Sequence, residues 1–271
     1  MMFRAGRLLG LAVLACAVTA PSAFAIDVAP HRALYSLTLQ SAKASSGVVG
    51  ASGVMVYEWG ETCDVWTVQQ RLRLRLLYAQ SDGVDLNSTL VTWESKDGLR
   101  YHFNERRLRN GEPDEEIHGQ AHLDGPGKAG VAEFTSPEPT TMKLAPGVIF
   151  PTAHTLTLIE RAEAGDQFVA RKVFDGATVD NAGQVTAVIG QKLKPSPKPG
   201  DALANSPLLQ RPSWRMRLAF FPADSKSEEP DYELGMQLLD NGVSQNMSLD
   251  YTDYVIRATL DQIEALPKPH C

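Results

Sequence analysis

Hydrophobic and polar residues alternate along most of this chain, and that alternation is its strongest structural signal. It is plainest in residues 71–76, where Arg71, Arg73 and Arg75 alternate with leucines. Successive side chains of a strand point to opposite faces, so a period of two indicates a strand. One charged face and one apolar face are typical of an antiparallel sheet that is buried on one side.

About a dozen segments carry this alternation or a run of β-branched and aromatic residues. The predicted strands are 32–39, 54–59, 63–76, 85–94, 99–108, 116–123, 132–134, 141–144, 167–174, a hairpin within 177–193, 213–221, 232–239, 243–251 and 254–266. Hairpin turns are predicted at 96–98, 181–183 and 240–242. Residues 42–53, rich in Ser, Gly and Ala, and residues 194–212, with five prolines, are predicted to be loops.

Residues 150–164, with the sequence FPTAHTLTLIERAEA, predict the one helix. Leucine and threonine alternate within this segment as they would in a strand, but three features favour a helix. Pro151 suits a first helical position, Thr152 suits a capping position and Gly165 follows the predicted end. An apolar face recurs every three residues, formed by Ala153, Leu156, Ile159 and Ala162. We expect the uncharged first half to be buried and the charged second half to meet water.

Many short strands with one helix between them predict a mainly β, antiparallel fold. Strands with one apolar face must close around something to bury it, and closure into a barrel or spiral also removes exposed edges. We therefore expect a β-spiral or open barrel wrapped around a central helix at about residues 151–164.

The first 25 residues are typical of a secretory signal peptide. Arg4 and Arg7 precede an apolar run at 8–20, and a small-x-small cleavage site ends at Ala25. Two alternatives are an uncleaved membrane anchor and lipidation of Cys16, although the residues before Cys16 fit a lipoprotein site poorly. We predict cleavage after Ala25, export to the periplasm, and a single soluble β-spiral domain over the remaining residues.

Removal of the signal makes the chain more acidic. The 26 Lys and Arg residues fall to 24 while the 32 Asp and Glu residues remain, so the net charge is 24 − 32 = −8. Without a basic cluster in the sequence, we predict no partner among nucleic acids and no attraction to an anionic membrane surface. No later segment is apolar for long enough to span a bilayer, so no transmembrane segment is predicted after signal removal.

Two cysteines remain after cleavage, Cys63 and Cys271. An even pair in an exported protein indicates a structural disulfide. The alternative is a redox-active pair, but catalytic cysteines are usually close in sequence. A bond between residues 208 positions apart would stabilise the fold by about 5 kcal/mol in the chain-entropy model.

Several short motifs together resemble a known family. They are Pro30–Leu37 (PHRALYSL), Tyr57–Trp59 before Cys63, Phe150–Thr155 (FPTAHT), Phe174–Gly176 (FDG) and the terminal Cys271. The chain resembles the cell envelope integrity protein B family of alphaproteobacterial periplasmic proteins, long described as a domain of unknown function. The resemblance implies an antiparallel β-spiral around a central helix, closed by a disulfide at Cys63 and Cys271. It also implies a role in maintaining the cell envelope and offers no catalytic residues to carry over.

Candidate chemistry is sparse in this sequence. His102, His118 and His122 would lie near one another on neighbouring strands, but no carboxylate or cysteine completes a ligand set, so we favour surface histidines and predict no metal and no cofactor. His31 and His154 lie in the motifs named above, and we interpret both as functional or structural groups of a polar core. Nucleophile-elbow, zinc-protease and phosphate-loop motifs are absent.

The arginines of residues 71–76 also admit two interpretations. A phosphate-binding site would use them together with a helix terminus or a glycine-rich turn. Gly47, Gly50 and Gly53 belong to the predicted loop and follow no buried strand. We therefore favour a solvated face whose arginines pair with carboxylates on neighbouring strands.

Three functions compete on these grounds. The first is a non-enzymatic periplasmic protein that supports envelope integrity as a binding or interaction module, with another periplasmic protein or an envelope lipid as its partner. The second is a carrier or binder of lipid or another amphipathic envelope molecule, held inside a curved sheet. The third is an envelope hydrolase centred on His154. We predict that the protein is not an enzyme.

Overall fold

In the part of the chain that the structure describes, fifteen strands form one sheet that curls into a nearly closed barrel with one short α-helix. The computed structural model describes residues 26–197, 200–223 and 229–271, so the predictions for the signal peptide, Ala25 and Cys16 lie outside it. The elements are β1 (His31–Ala42), β2 (Val48–Glu61), β3 (Val65–Tyr78), β4 (Val84–Ser95), β5 (Arg100–Arg109), β6 (Glu112–Leu123), β7 (Gly130–Ser136), β8 (Thr140–Leu144), β9 (Val148–Ile149), α1 (Pro151–Glu163), β10 (Phe168–Val173), β11 (Gly183–Leu193), β12 (Ser213–Phe221), β13 (Tyr232–Leu239), β14 (Ser244–Asp250) and β15 (Tyr254–Ala265).

The order of the strands explains the barrel. From one edge it runs β8, β7 and so on down to β1, then β15 down to β9 at the other edge. All pairs are antiparallel except the short pair between β9 and β10. The two edge strands, β8 and β9, follow one another in the chain and are separated only by residues 145–147, which brings the edges of the sheet together. The mainly β fold and the open-barrel form are therefore confirmed, while the spiral stays a prediction.

The predicted loop at 42–53 is wrong over its second half. A short 3-10 helix at Ala44–Ser46 is followed by β2, which begins at Val48. One glycine of β2 has a packing reason that composition does not reveal. A Cβ atom on Gly53 would lie 2.1 Å from the carbonyl oxygen of Arg73 on β3. Glycine is therefore needed there for the close approach of two strands.

The hairpin predicted within 177–193 is also wrong. Only β11 forms there, and it pairs with β10. The preceding residues lie against β5 and β8, strands from the other half of the sheet order. Gly176, with a φ of 66°, lies against the ring of Phe103 on β5, and the Asn181 side chain donates a hydrogen bond to the carbonyl of Lys143 on the edge strand β8. The segment protects part of an open sheet edge instead of adding a strand.

The helix is confirmed, but two of its details differ from the prediction. Phe150 and not Thr152 occupies the capping position, and it makes no side-chain cap. The buried residues of α1 are Thr152, His154, Leu158, Ile159 and Ala162. Leu156 is only half-buried because the buried face follows the 3.6-residue turn and not a strict spacing of three. Glu160 and Arg161 are exposed, as expected for the charged second half.

Three hydrophobic clusters fill the inside of the barrel. The first joins β1–β3 with β13–β15, and includes Tyr35 and Ile256. The second packs Leu158 and Ile159 of α1 against β10–β13, including the buried Trp214. The third is an aromatic group from β5–β9 and the flanking residues, namely Tyr101, Phe103, Phe134, Phe150 and Phe174. The helix is thus part of the packed core. In the described ranges, no helix is long and apolar enough to span a bilayer.

Candidate functional site

The predicted disulfide is present, in an unexpected place. Cys63 lies in the turn between β2 and β3 and Cys271 in the tail after β15, with their Cα atoms 5.7 Å apart. Because β1 pairs with both β2 and β15, the bond crosses the end of β1. The prediction that the disulfide closes the fold around the helix is therefore wrong. The open edges of the sheet are β8 and β9, far from this bond in the strand order.

The same end of the barrel holds the start of α1, where a buried carboxylate binds the helix terminus. Glu94, near the end of β4, is 1% exposed. Its carboxylate accepts hydrogen bonds from the backbone N–H groups of Thr152 and Ala153, each at 2.8 Å. The first N–H groups of a helix have no partner inside it and carry a partial positive charge, so a carboxylate satisfies both needs. Glu94 is therefore the cap that Thr152 was expected to supply.

Glu94 was missed because a strand and a helix far apart in sequence create its site. One signal was present: Glu94 falls in the inward-facing register of β4, where a charged residue is unusual. Burial raises the pKa of Glu94 to about 7, while the hydrogen bonds from Thr152 and Ala153 act in the opposite direction. The carboxyl group is therefore near half-ionised at neutral pH.

Stability should fall between pH 5 and pH 7 because of Glu94. The folded-state pKa of about 7 lies above the ordinary value of 4.5, so the folded protein binds more protons in this window than the unfolded chain. Stability then decreases as pH rises, by about 2 kcal/mol between pH 5 and pH 7 from this group alone. Urea unfolding should show that the unfolding free energy of wild type minus that of Glu94→Gln falls by about 2 kcal/mol from pH 5 to pH 7. Parallel curves would contradict the prediction.

The two histidines assigned to a polar core are both buried, in different surroundings. His31 is 1% exposed, its Nδ1 lies 2.7 Å from the carbonyl oxygen of Ala29, and burial lowers its pKa. His154 on α1 is 6% exposed, and its Nε2 has no hydrogen-bond partner among the described residues. Burial, helped by the positive charge of Arg171 on β10, lowers the pKa of His154 to about 4. Burial thus favours the neutral form of both rings.

The opposite end of the barrel, which we call the aromatic end, carries a row of aromatic rings. It is formed by Phe220, Tyr232, Tyr251 and Tyr254, at the ends of β12 to β15. Neighbouring ring centroids are 4.3, 6.0 and 5.3 Å apart. Tyr251 is 39% exposed and the others are half-buried, so one side of the row meets water. Large rings with a polar edge suit a binding surface for amphipathic molecules.

A charged group lies beside the aromatic end. Arg107 of β5 makes a bidentate ion pair with Glu105, binds Glu115 at 2.6 Å and donates to the carbonyl of Ala177. Burial raises the pKa of Asp175, although the N–H of Ala177 and the charge of Arg107 oppose that rise. Arg107 thus balances several carboxylates and ties the crossing segment to β5. Its hydrogen bonds are directed at protein atoms, which indicates a structural role.

The three histidines considered as metal ligands, His102, His118 and His122, lie on the outside of the sheet. His102 pairs with Gln120, between His118 and His122 on β6, so all three share one face. His102 stacks on Trp93 with centroids 4.1 Å apart, and His118 Nε2 lies 3.1 Å from a carboxylate oxygen of Glu116. Within the described ranges, no group of three or more His, Cys, Asp or Glu side chains is arranged to hold a metal ion. The proximity was predicted correctly, and the contacts are with protein groups.

The family is decided by comparison with known proteins over nearly the whole barrel. A family model described as EipB-like matches residues 22–267. The chain belongs to the EipB-like family. The resemblance read from the sequence motifs is thereby confirmed, and all fifteen strands lie within the matched range.

A relative and a solved structure support the EipB-like assignment. The "Cell envelope integrity protein EipB" of Brucella abortus (strain 2308) is 31% identical over 251 residues, which are 90% of this chain and 87% of the relative. The crystal structure of a beta-barrel-like protein of domain of unknown function DUF1849 from Brucella abortus aligns with a TM-score of 0.81 at 28% identity. It covers 90% of this chain and all of that one. The barrel form is thus shared with that beta-barrel-like structure.

Proposed function

We propose that this EipB-like protein is a non-enzymatic periplasmic protein that supports the integrity of the cell envelope as a binding or interaction module. The observation that carries the proposal is the likeness, over 90% of the chain, to a relative named for cell envelope integrity. The disulfide adds support, because such bonds persist in oxidising compartments such as the periplasm.

The roles of the buried polar groups also favour a non-enzymatic protein. Glu94 binds a helix terminus, and Arg107 binds two carboxylates and a backbone carbonyl. A catalytic pair needs a base within hydrogen-bond reach of the group that it serves. The hydrolase alternative depends on His154, and its Nε2 has no such partner among the described residues. The hydrolase alternative therefore has the weakest support.

Deletion of the gene in its native host tests the proposed function. We expect the deletion strain to become sensitive to detergents that attack the envelope, and the full-length gene to restore growth. A gene lacking codons 2–25 should fail to restore growth, because the protein then stays in the cytoplasm. His154→Ala should restore growth fully. Unchanged detergent tolerance after deletion, or complementation without the signal, would contradict the proposal.

The carrier alternative is favoured by one observation, the aromatic row at Phe220, Tyr232, Tyr251 and Tyr254. An amphipathic molecule would place its apolar part against these rings. Native mass spectrometry of protein purified without detergent is the test, with Tyr232→Ala as the matched variant. A bound lipid that is lost in the variant would favour the carrier. Repeated absence of any bound mass from the wild type would count against it.

A further inference from the structure

The outer face of β2, β3 and β4 combines unpaired positive charge with exposed apolar side chains. Side chains alternate between the inside and the outside of the barrel along these strands. Leu72, Leu74 and Leu76 point inward into the first core cluster, so Arg71 and Arg73 point outward. Both arginines are exposed. We call the outward-facing side of these three strands the basic face.

Two arginines of the basic face lack the carboxylate neighbours that were expected. The cross-strand neighbours of Arg71 are Val56 and Thr89, and those of Arg73 are Val54 and Asn87. Neither arginine has a carboxylate within ion-pair distance among the described residues. The prediction of cross-strand pairing is confirmed only for the third arginine of this strand.

The carboxylates of the basic face are already neutralised. Asp85 lies 3.0 Å from Arg75, and Glu58 lies 2.8 Å from Arg32 on β1. The charges of Arg71 and Arg73 therefore remain as a local excess on a protein that is acidic as a whole. The sequence contains no basic run, and strand alternation and pairing create this cluster.

Exposed aliphatic residues lie on the same three strands as the two arginines and their neighbours. Of the large hydrophobic side chains exposed among the described residues, four belong to this face: Val49, Val54, Leu77 and Val91, which are 62%, 43%, 43% and 43% exposed. A groove of about 630 Å³ opens on this face, and its lining includes Val54, Arg73, Arg75, Asp85, Asn87 and Asn110. Val54 and Arg73 thus line the same groove, while Val49, Leu77 and Val91 lie elsewhere on the same three strands.

We infer that the basic face docks on the surface of an anionic phospholipid bilayer. Basic side chains near such a surface gain from its negative potential, and aliphatic side chains gain by entering the boundary between headgroups and acyl chains. Both kinds of side chain lie side by side here on neighbouring strands, with Val54 of β2 beside Arg73 of β3 and Val56 of β2 beside Arg71 of β3. A soluble polyanion would use the charges but would leave the four aliphatic residues in water. A bilayer surface uses both.

Co-sedimentation with sucrose-loaded vesicles tests this inference. Vesicles of phosphatidylcholine are compared with vesicles of phosphatidylcholine mixed with phosphatidylglycerol, at low and at high salt. We expect the wild-type protein to bind the anionic vesicles at low salt and to dissociate at high salt. Arg71→Thr with Arg73→Thr should weaken this binding roughly thirty-fold. Val54→Thr alone should weaken it by a smaller factor, roughly three-fold.

A matched variant controls for net charge. Lys172→Thr with Arg215→Thr removes the same two positive charges from β10 and β12, on strands far from β3 in the sheet order. We expect this variant to bind the anionic vesicles as wild type does. Urea unfolding of all variants shows whether each is folded before its binding is interpreted. The assay uses purified protein, so its result is independent of the deletion phenotype that tests the proposed function.

Three outcomes would overturn the inference. The first is an absence of binding to anionic vesicles at low salt. The second is equal weakening by the β3 variant and its matched control, which would mean that net charge and not this face governs binding. The third is release of the protein from anionic vesicles by polyglutamate or by glycerol phosphate as effectively as by unloaded anionic vesicles. The occupant would then be a soluble polyanion or a free phosphate ester.

Discussion

Replacing both Cys63 and Cys271 with serine should lower the free energy of unfolding by up to about 5 kcal/mol. The bond joins residues 208 positions apart, so in the chain-entropy model it removes much of the freedom of the unfolded chain. β1 stays hydrogen-bonded to β2 and β15 without it, so we expect the variant to fold to the same barrel. Urea unfolding of both proteins under non-reducing conditions measures the difference.

A reductant provides the control for this prediction. Wild type with excess dithiothreitol should unfold at the same urea concentration as the double serine variant, and the variant should not respond to dithiothreitol. Thiol labelling of denatured, non-reduced wild type should find no free thiol. A loss of less than about 1 kcal/mol would mean that the unfolded chain remains compact enough to keep these residues close.

Gly53→Ala should lower the free energy of unfolding by about 3 kcal/mol or more. The new Cβ would lie 2.1 Å from the carbonyl oxygen of Arg73 and 2.9 Å from the Cα of Leu74. These are backbone atoms of a paired strand, so relief requires β2 and β3 to move apart. The measurement is the urea midpoint, with the slope m as a check on two-state unfolding.

Gly50→Ala in the same strand is the matched control. Its Cβ would lie 3.2 Å from a terminal methyl carbon of Leu77, which is exposed and free to turn away. We expect a change smaller than about 1 kcal/mol, because alanine also loses less conformational entropy than glycine on folding. Equal losses of unfolding free energy in the two variants would show that strand propensity, and not the close approach at Gly53, governs the effect.

Local patterns predicted most of the fold. Alternation located nearly every strand, because consecutive residues of a half-buried strand face the core and the solvent in turn and are therefore apolar and polar in turn. Turn sequences located the hairpin between β4 and β5, and Pro151 with the glycine after the helix located α1. The loop prediction was wrong for the second half of 42–53 because glycine serves two purposes. It gives a loop conformational freedom, and it lets two strands of a sheet approach closely. Composition alone does not separate them.

Features that need two distant segments were not predictable in the same way. Glu94 was missed because its partners lie on a helix that starts 57 residues later, at Pro151. The basic face was missed because its excess of charge depends on which residues of β2 and β4 pair with Arg71 and Arg73. The cysteine pair was predicted correctly because only two candidates remained, although its position in the sheet depends on strand order.

The pairing of β1 with β15 places a limit on when this barrel becomes complete. β1 is made first and lies in the middle of the finished sheet, but one of its neighbours is the last strand to leave the ribosome. Until β15 has been synthesised, one edge of β1 has no hydrogen-bonded neighbour and Cys63 cannot form its disulfide with Cys271. Late pairings between distant residues are slow and leave strand edges free to bind other chains. A holding chaperone would therefore be needed most while the final strands emerge, and a chain cut short before residue 254 would retain the open edge permanently.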